Sequence, residues 1–424
     1  MNRVTRREVL RRSIAIGALG AAGGLVTSRL AFGAPAAGES RFVFVILRGA
    51  LDGLTAVPPV GDPAYAALRR DIAVPPVGTV NGALRLDGTF GLHPSFGFLA
   101  EAWQARQLTV LHAVATAYRE RSHFDGQDVL ESGYTRPHAV QSGWMNRALE
   151  KLGGPARRDA GVALGANIPL VMRGPAEVAS WSPSKLAMLD EDTLQRLADL
   201  YAKDPVLGLR LADALASDAI AQSARAEEKA QEAASMQGMD PAMSAGAQPA
   251  RQPGAAQYAE TVKAAAGFLK RPDGPRVAVF DTTGWDTHAN EGGAQGQLAG
   301  RLRALDAGLR TLKESLGTVW DHTAVLVATE FGRTAAVNGT RGTDHGTGAA
   351  ALLLGGAVRG GRVLADWPGL APQSLYAGRD LRPTGDLRSV MKSMLRDHLQ
   401  VPQRHIDAQV FPDSMGAPYI DGLV

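Results

Sequence analysis

The stretch "RFVFVILRG", Arg41–Gly49, sets six apolar residues in an unbroken row between two arginines. A strand with one wet face alternates apolar and polar side chains, so an unbroken row predicts a strand buried on both faces, as in the middle of a parallel sheet. Working outward, "LTVLHAVA" (Leu108–Ala115), "RVAVFDTTGWDTHAN" (Arg276–Asn290), "TAVLVAT" (Thr323–Thr329) and "AAALLLGG" (Ala349–Gly356) open on or carry the same strand character. Segments of helical spacing lie between them. They begin at His93, His123, Ser142, Gly296 and Leu387, and glycine closes several of them. Strand alternating with helix predicts an α/β fold, doubly wound, with a mostly parallel central sheet and helices on both faces.

One region departs from this rhythm. From residue 158 to 270 the alternation loosens, and Leu211–Ala234 is rich in Ala, Glu and Gln. Ser235–Gln257, "SMQGMDPAMSAGAQPARQPGAAQ", is low-complexity. The expectation is a single domain over residues 40–424, carrying a helical insertion at 158–270 with a flexible surface loop at 235–257. No internal repeat is present.

The first 36 residues read as a separate unit. "TRREVLRR" precedes the short, glycine-rich apolar run "SIAIGALGAAGGLV" and then the small-residue stretch "AFGAPAA". Charged region, short apolar region and cleavage-like site form an export signal, and Arg6-Arg7 fits the twin-arginine variety, which predicts periplasmic delivery. The run is too short and too diluted by Gly and Ala for a membrane span of ~20 residues, so no stable span is expected after cleavage. Residues 1–36 carry six Arg and one Glu, so their removal takes the formal net charge from +3 to −2. The basic pI of about 9.2 therefore belongs in part to the signal and does not support nucleic-acid binding. With 0 Cys in the sequence, disulfides, thiolate metal sites and a cysteine nucleophile are excluded. Any metal must be held by oxygen and imidazole.

In open α/β sheets, ligand-binding residues collect at the carboxyl ends of strands. Four such ends carry candidates: Asp52 in "RGALDG", Ser122 and His123 in "YRERSHFDGQD", Asp286 and His288 in "GWDTH", and Glu330 in "EFGR", with Asp344 and His345 on the loop beyond. Each also has a plain structural role open to it. Asp52 could serve a turn, Ser122 a helix N-cap, Asp286 and His288 a turn backbone, and Arg333 a salt bridge to Asp344. Together the carboxylates and imidazoles form an oxygen and nitrogen set suited to one or two divalent ions such as zinc or manganese.

The motifs "RGALDGL", "GLHPS", "RSHFDGQD", "GWMNR", "GWDTH", "EFGR" and "GTDHG", in this order behind the twin-arginine leader, resemble the bacterial exported family called domain of unknown function 1501. That family is in turn similar to the alkaline phosphatase and sulfatase superfamily. The resemblance implies an alkaline-phosphatase-like fold, with Ser122, or His123 by a one-residue shift, at the nucleophile position. It also implies Asp52, Asp286, His288, Glu330 and His345 as metal ligands. Three departures from the superfamily are visible: Asp286 and His288 stand two apart rather than four, Phe331 stands where a His ligand would follow the acid, and no Cys exists to become formylglycine. Sulfatase activity by that route is excluded.

The expected function is an exported metal-dependent hydrolase acting on a small anionic ester. Arg333 would clamp substrate oxygens, and Asp344 would orient His345 behind the metal. The rival expectation is a non-catalytic metal-binding or assembly module on the same fold.

Overall fold

The computed structural model describes residues 40–152, 160–183, scattered positions between 193 and 223, and 255–424. The expected export signal, residues 1–36, lies outside them, as does the low-complexity stretch up to residue 254. In chain order the strands are β1 (Arg41–Arg48), β2 (Leu84–Arg85), β3 (Gly91–Leu92), β4 (Leu108–Ala115), β5 (Gly161–Leu164), β6 (Ala179–Trp181), β7 (Val277–Thr283), β8 (Thr323–Thr329), β9 (Ala349–Leu354), β10 (Arg362–Leu364) and β11 (Gly385–Asp386). The helices used below are α1 (Gly53–Ala56), α2 (Tyr65–Arg69), α3 (Gly97–Gln104), α4 (His123–Ser132), α5 (Trp144–Leu152), α6 (Ala255–Lys270), α7 (Gln297–Leu316) and α8 (Leu387–Ser393).

Among the described residues the central sheet has 9 strands, in the order β10-β4-β9-β8-β1-β7-β5-β6, with β11 also paired to β4. β1 lies parallel between β8 and β7, with Phe44 facing Leu326 on one side and Val279 on the other. Its side chains explain the unbroken apolar row. Val43, Val45 and Leu47 enter a core shared with α3, α6 and α7, whereas Phe42, Phe44 and Ile46 enter a second core under α5 and α8. Full burial of each such side chain stabilises the fold by about 1.5–3 kcal/mol, and both faces of β1 contribute. The expected doubly wound α/β sheet, covered on both faces, is what the chain forms.

Two features were not foreseen. β5 and β6 fall inside the span expected as a helical insertion, and they extend the sheet beyond β7 in parallel register. They are only 4 and 3 residues long, too short to show a period. The expected flexible loop ends within α6, whose first residues are Ala255–Gln257. β9 is the second feature: it runs antiparallel to both β8 and β4. Because it is reversed, the loop that enters it lies at the same edge as the carboxyl ends of its neighbours. That reversal brings His345 to the edge where β1, β4, β7 and β8 end.

Candidate metal centre

The return of the chain from β8 to β9 is held tightly. Gly332 N–H donates to the Thr347 carbonyl at 3.0 Å, Gly346 N–H to Gly332 at 2.8 Å and Thr334 N–H to Asp344 at 2.9 Å. A Cβ on Gly332 would lie 1.7 Å from the Gly348 carbonyl oxygen, so only glycine permits this approach. Gly49, at the end of β1, has φ of +117° and donates its N–H to Glu330 Oε1 at 2.8 Å.

Four side chains meet at this edge: His123 from the start of α4, Asp286 and His288 after β7, and His345 before β9. Asp286 Oδ1 lies 2.9 Å from His288 Nε2 and 3.1 Å from His345 Nε2, and the two nitrogens are 2.9 Å apart. His123 Nε2 stands 3.3 Å from Asp286 Oδ2, an ion-pair separation, but it is buried without a hydrogen-bond partner. Ligand atoms of His123, Asp286 and His345 all fall within 4.8 Å of one another.

The outer ring nitrogens decide what these inner ones present. His123 Nδ1 is 2.8 Å from Glu330 Oε1, and His345 Nδ1 is 2.9 Å from the Arg121 carbonyl oxygen. A carboxylate and a carbonyl only accept, so both Nδ1 atoms carry hydrogen. In the neutral ring each Nε2 then offers a lone pair toward the Asp286 carboxylate, itself an acceptor. Lone pairs that converge on a carboxylate repel unless a proton or a metal cation lies between them. An ion bound at ~2.0–2.1 Å in tetrahedral geometry has ligands ~3.3–3.4 Å apart, close to the spacings seen here. The donor set fits a single divalent ion.

Titration follows from the same contacts. The bond to Glu330 raises His123, against the opposing effect of burial. Burial and the neighbouring His123 charge lower His345. For Asp286 burial acts upward, but the Arg333 guanidinium outweighs it and holds the carboxylate below its usual range. Glu330 is also pushed upward by burial, and hydrogen bonds from His123, Gln127 and Gly49 reverse that.

The expected roles are redistributed. Glu330 is fully buried and accepts from Gly49, His123, Gln127 and Thr329, so it stands behind His123 rather than in the open cluster. Asp52 lies apart, fully buried, capping α1 and ion-paired with Arg69. Asp344 faces His288 Nδ1 at 3.4 Å and Asn338, whereas the partner expected for it, His345, is held by Arg121. Arg333, expected as a substrate clamp, is buried and spends its donors on the carbonyls of Gly49, Ala50, Trp285 and Thr343 and on Asp286 Oδ1. Its carboxylate partner is Asp286, not Asp344. Ser122 occupies the N-cap position of α4, and its hydroxyl makes no cap hydrogen bond.

Several supporting residues were not anticipated. Phe331 stacks under His123, ring centroids 5.1 Å apart, and so fixes that imidazole. Gln127, four residues beyond His123 on the same helix face, donates to Glu330 at 3.2 Å. That i, i+4 spacing was a readable signal. Arg121 has φ of 66°, the left-handed region, at the turn that aims its carbonyl at His345. No spacing rule reveals that.

A second polar group lies beside the cluster. Glu291 is fully buried, with its carboxyl group within hydrogen-bond distance of the hydroxyls of Thr55 at 3.0 Å, Thr287 at 3.0 Å and Thr343 at 2.8 Å. Arg69 reaches both Asp52 and Thr55. Burial and the neighbouring Asp52 charge push Glu291 up to about 8. For Asp52 the Arg69 charge overcomes burial and holds it low.

A family model described as "Protein of unknown function (DUF1501)" matches residues 39–410. Among curated proteins no sequence matches. Solved structures with a partial likeness include the following two. The crystal structure of Ps i-CgsB in complex with k-i-k-neocarrahexaose is 12% identical, with 87% of this chain and 74% of that one covered at a TM-score of 0.38. The phosphonate monoester hydrolase of Agrobacterium radiobacter is 10% identical, with 85% and 74% covered at 0.34. At those TM-scores the likeness bears on neither substrate nor mechanism.

Proposed function

The chain belongs to the DUF1501 family, and we propose that it is an exported, metal-dependent hydrolase acting on a phosphate or other anionic ester. One observation carries the reading: two imidazole Nε2 atoms converge on the Asp286 carboxylate while their outer N–H groups are already satisfied. Ligating histidines are held in this way in metal sites. His123, Asp286 and His345 would hold one ion, zinc or manganese, with His288 as a further donor. Asp52 and Glu330 are engaged elsewhere, which favours one ion over two.

A divalent ion held there would supply Lewis-acid polarisation of an ester oxygen. The chain's own groups do the rest. Glu330 and Phe331 fix His123, the Arg121 carbonyl fixes His345, and Arg333 holds Asp286 in place. Arg121 and Arg379 share the buried carboxylate of Asp380 beside His345, and these guanidinium groups would favour an anionic substrate. Ser122, whose hydroxyl makes no cap hydrogen bond at the start of α4 and lies against the Tyr118 hydroxyl, is the residue we assign as nucleophile.

The test is metal analysis of the purified chain together with turnover on a panel of phosphoesters. We expect about one zinc or manganese per chain, and Asp286→Ala should lose both metal and turnover. Absence of bound metal from the unaltered chain would overturn the reading. Metal without turnover would leave the second reading, a non-catalytic metal-binding module, which the internal engagement of Asp52, Glu330 and Arg333 favours. Export rests on Arg6-Arg7. Replacing both by Lys should retain the chain in the cytoplasm, and unchanged periplasmic delivery would remove that half of the proposal. Among the described residues no helix is long and apolar enough to cross a membrane.

A further inference from the structure

We infer that Glu291, held as a neutral carboxylic acid, is the positioning residue of the metal centre, tying together the two loops that carry its histidines. The inference rests on the metal reading above. Thr287 lies between Asp286 and His288, and Thr343 lies two residues before His345. Both hydroxyls end on the same oxygen, Glu291 Oε2, at 3.0 Å and 2.8 Å. Its other oxygen takes Thr55 of α1, so the acid joins both loops to the helix that begins at the end of β1. Glu291 itself is anchored by its backbone, accepting from Leu298 of α7 at 3.0 Å and donating to Arg341 at 2.9 Å.

Counting protons shows why the acid is neutral. Inside this enclosure Arg69 faces two carboxyl groups, Asp52 and Glu291, all three with no exposed surface. An unpaired buried carboxylate costs several kcal/mol, and Arg333, the other guanidinium whose charge reaches Asp52, is already paired with Asp286, so one of the two holds a proton. Asp52 forms the direct ion pair with Arg69, which leaves the proton to Glu291. The hydroxyl of Thr343 agrees. It has one hydrogen but lies 2.8 Å from Glu291 and 3.3 Å from Asp52 Oδ2. If Glu291 donates to Thr343, that hydroxyl is free to donate to Asp52, and no acceptor is left facing an acceptor.

The two loops also share backbone hydrogen bonds, Thr343 to Thr287 at 3.2 Å and Asn290 to Thr340 at 3.0 Å, so the side chain's part must be separated from theirs. Three variants of the full chain do this: Glu291→Gln, Glu291→Ala and Thr343→Val. Each is read by zinc affinity in competition with a chelator and by hydrogen exchange of residues 284–291 and 340–347 without metal. Gln keeps a donor and an acceptor without charge, so zinc affinity should stay within about threefold of the unaltered chain. Ala should lower it about 10–100-fold and speed exchange in both loops. Thr343→Val should weaken zinc binding in the unaltered chain but add little in the Glu291→Ala background, a non-additivity that general loosening does not produce.

If Glu291→Gln behaves like Glu291→Ala, the acid is ionised and the inference falls. It falls too if Glu291→Ala exchanges and binds like the unaltered chain. If Glu291→Ala does not fold, unchanged exchange in Thr343→Val overturns it instead. An unaltered chain that binds no zinc would defeat the metal reading alone, because the exchange comparison still reads the tie between the loops.

Discussion

The Asp52–Arg69–Glu291 enclosure and the His123–Asp286–His288–His345 cluster are built from similar residue types at one edge of one sheet, and Glu291 follows His288 closely in sequence. In the first, every carboxyl oxygen meets a guanidinium, a hydroxyl or a backbone N–H, and nothing is exposed. In the second, Asp286 is about 40% exposed, and His123 Nε2, buried beside that carboxylate, has no hydrogen-bond partner. A polar group earns a functional reading by what it leaves unsatisfied, not by its type. Asp52 looked like a ligand in the sequence because acids after strands often are, but its valences are filled.

The largest effect expected from this contrast is on stability. Arg69→Met leaves Asp52 as an unpaired buried charge, and should lower unfolding free energy by about 3–5 kcal/mol in urea titration. The same change at Arg379, on the half-exposed rim, should cost no more than about 1 kcal/mol. Equal effects at the two sites would erase the distinction between a closed and an open cluster. The pH dependence carries a matching sign. Because the folded-state pKa of Asp52 is depressed, its contribution is fully present above its ordinary value of 3.8 and is lost as pH falls below that. Arg69→Met should flatten that acid limb.

Next in size is Glu330→Gln. This carboxylate orients His123 by accepting its Nδ1 hydrogen, and an amide does so less strongly, so zinc affinity should fall about 10–100-fold. The sharpest form of the comparison sets it beside Glu291→Gln, the same substitution at a neighbouring buried acid, for which little change is expected. If the two variants bind zinc alike, Glu330 does not act through His123.

The smallest effect belongs to Asp344→Asn. Its carboxylate is half-exposed and stands 3.4 Å from His288 Nδ1, so it should cost at most about 10-fold in zinc affinity. A larger loss, measured by the same chelator competition, would mean that His288 is held chiefly by Asp344 and counts for more than a supplementary donor.

Much of the architecture was legible because it is local. The unbroken apolar row of β1, the runs of β4, β8 and β9 and the glycine-stopped helices are patterns of neighbouring residues, and burial on two faces leaves that trace in any chain. The strand ends that bear chemistry were legible for the same reason. β5 and β6 were not, since strands of 4 and 3 residues carry too little pattern and are recruited by the edge of β7.

By itself the sequence determined the fold class, the oxygen and nitrogen character of any metal site, and the set of residues from which the site is drawn. It could not determine which member does what. Glu330 and His345 are fifteen residues apart, and either could ligate on chemistry alone. Only the approach of α4 and Gly49 to the residue just beyond β8 shows that Glu330 is filled by His123, Gln127 and Gly49, whereas the reversal of β9 leaves His345 facing Asp286. Hydrogen-bond valence is shared between residues that meet across hundreds of positions, as Gly49 meets Glu330 and Arg121 meets His345. A role that depends on which valences remain open is therefore decided in three dimensions.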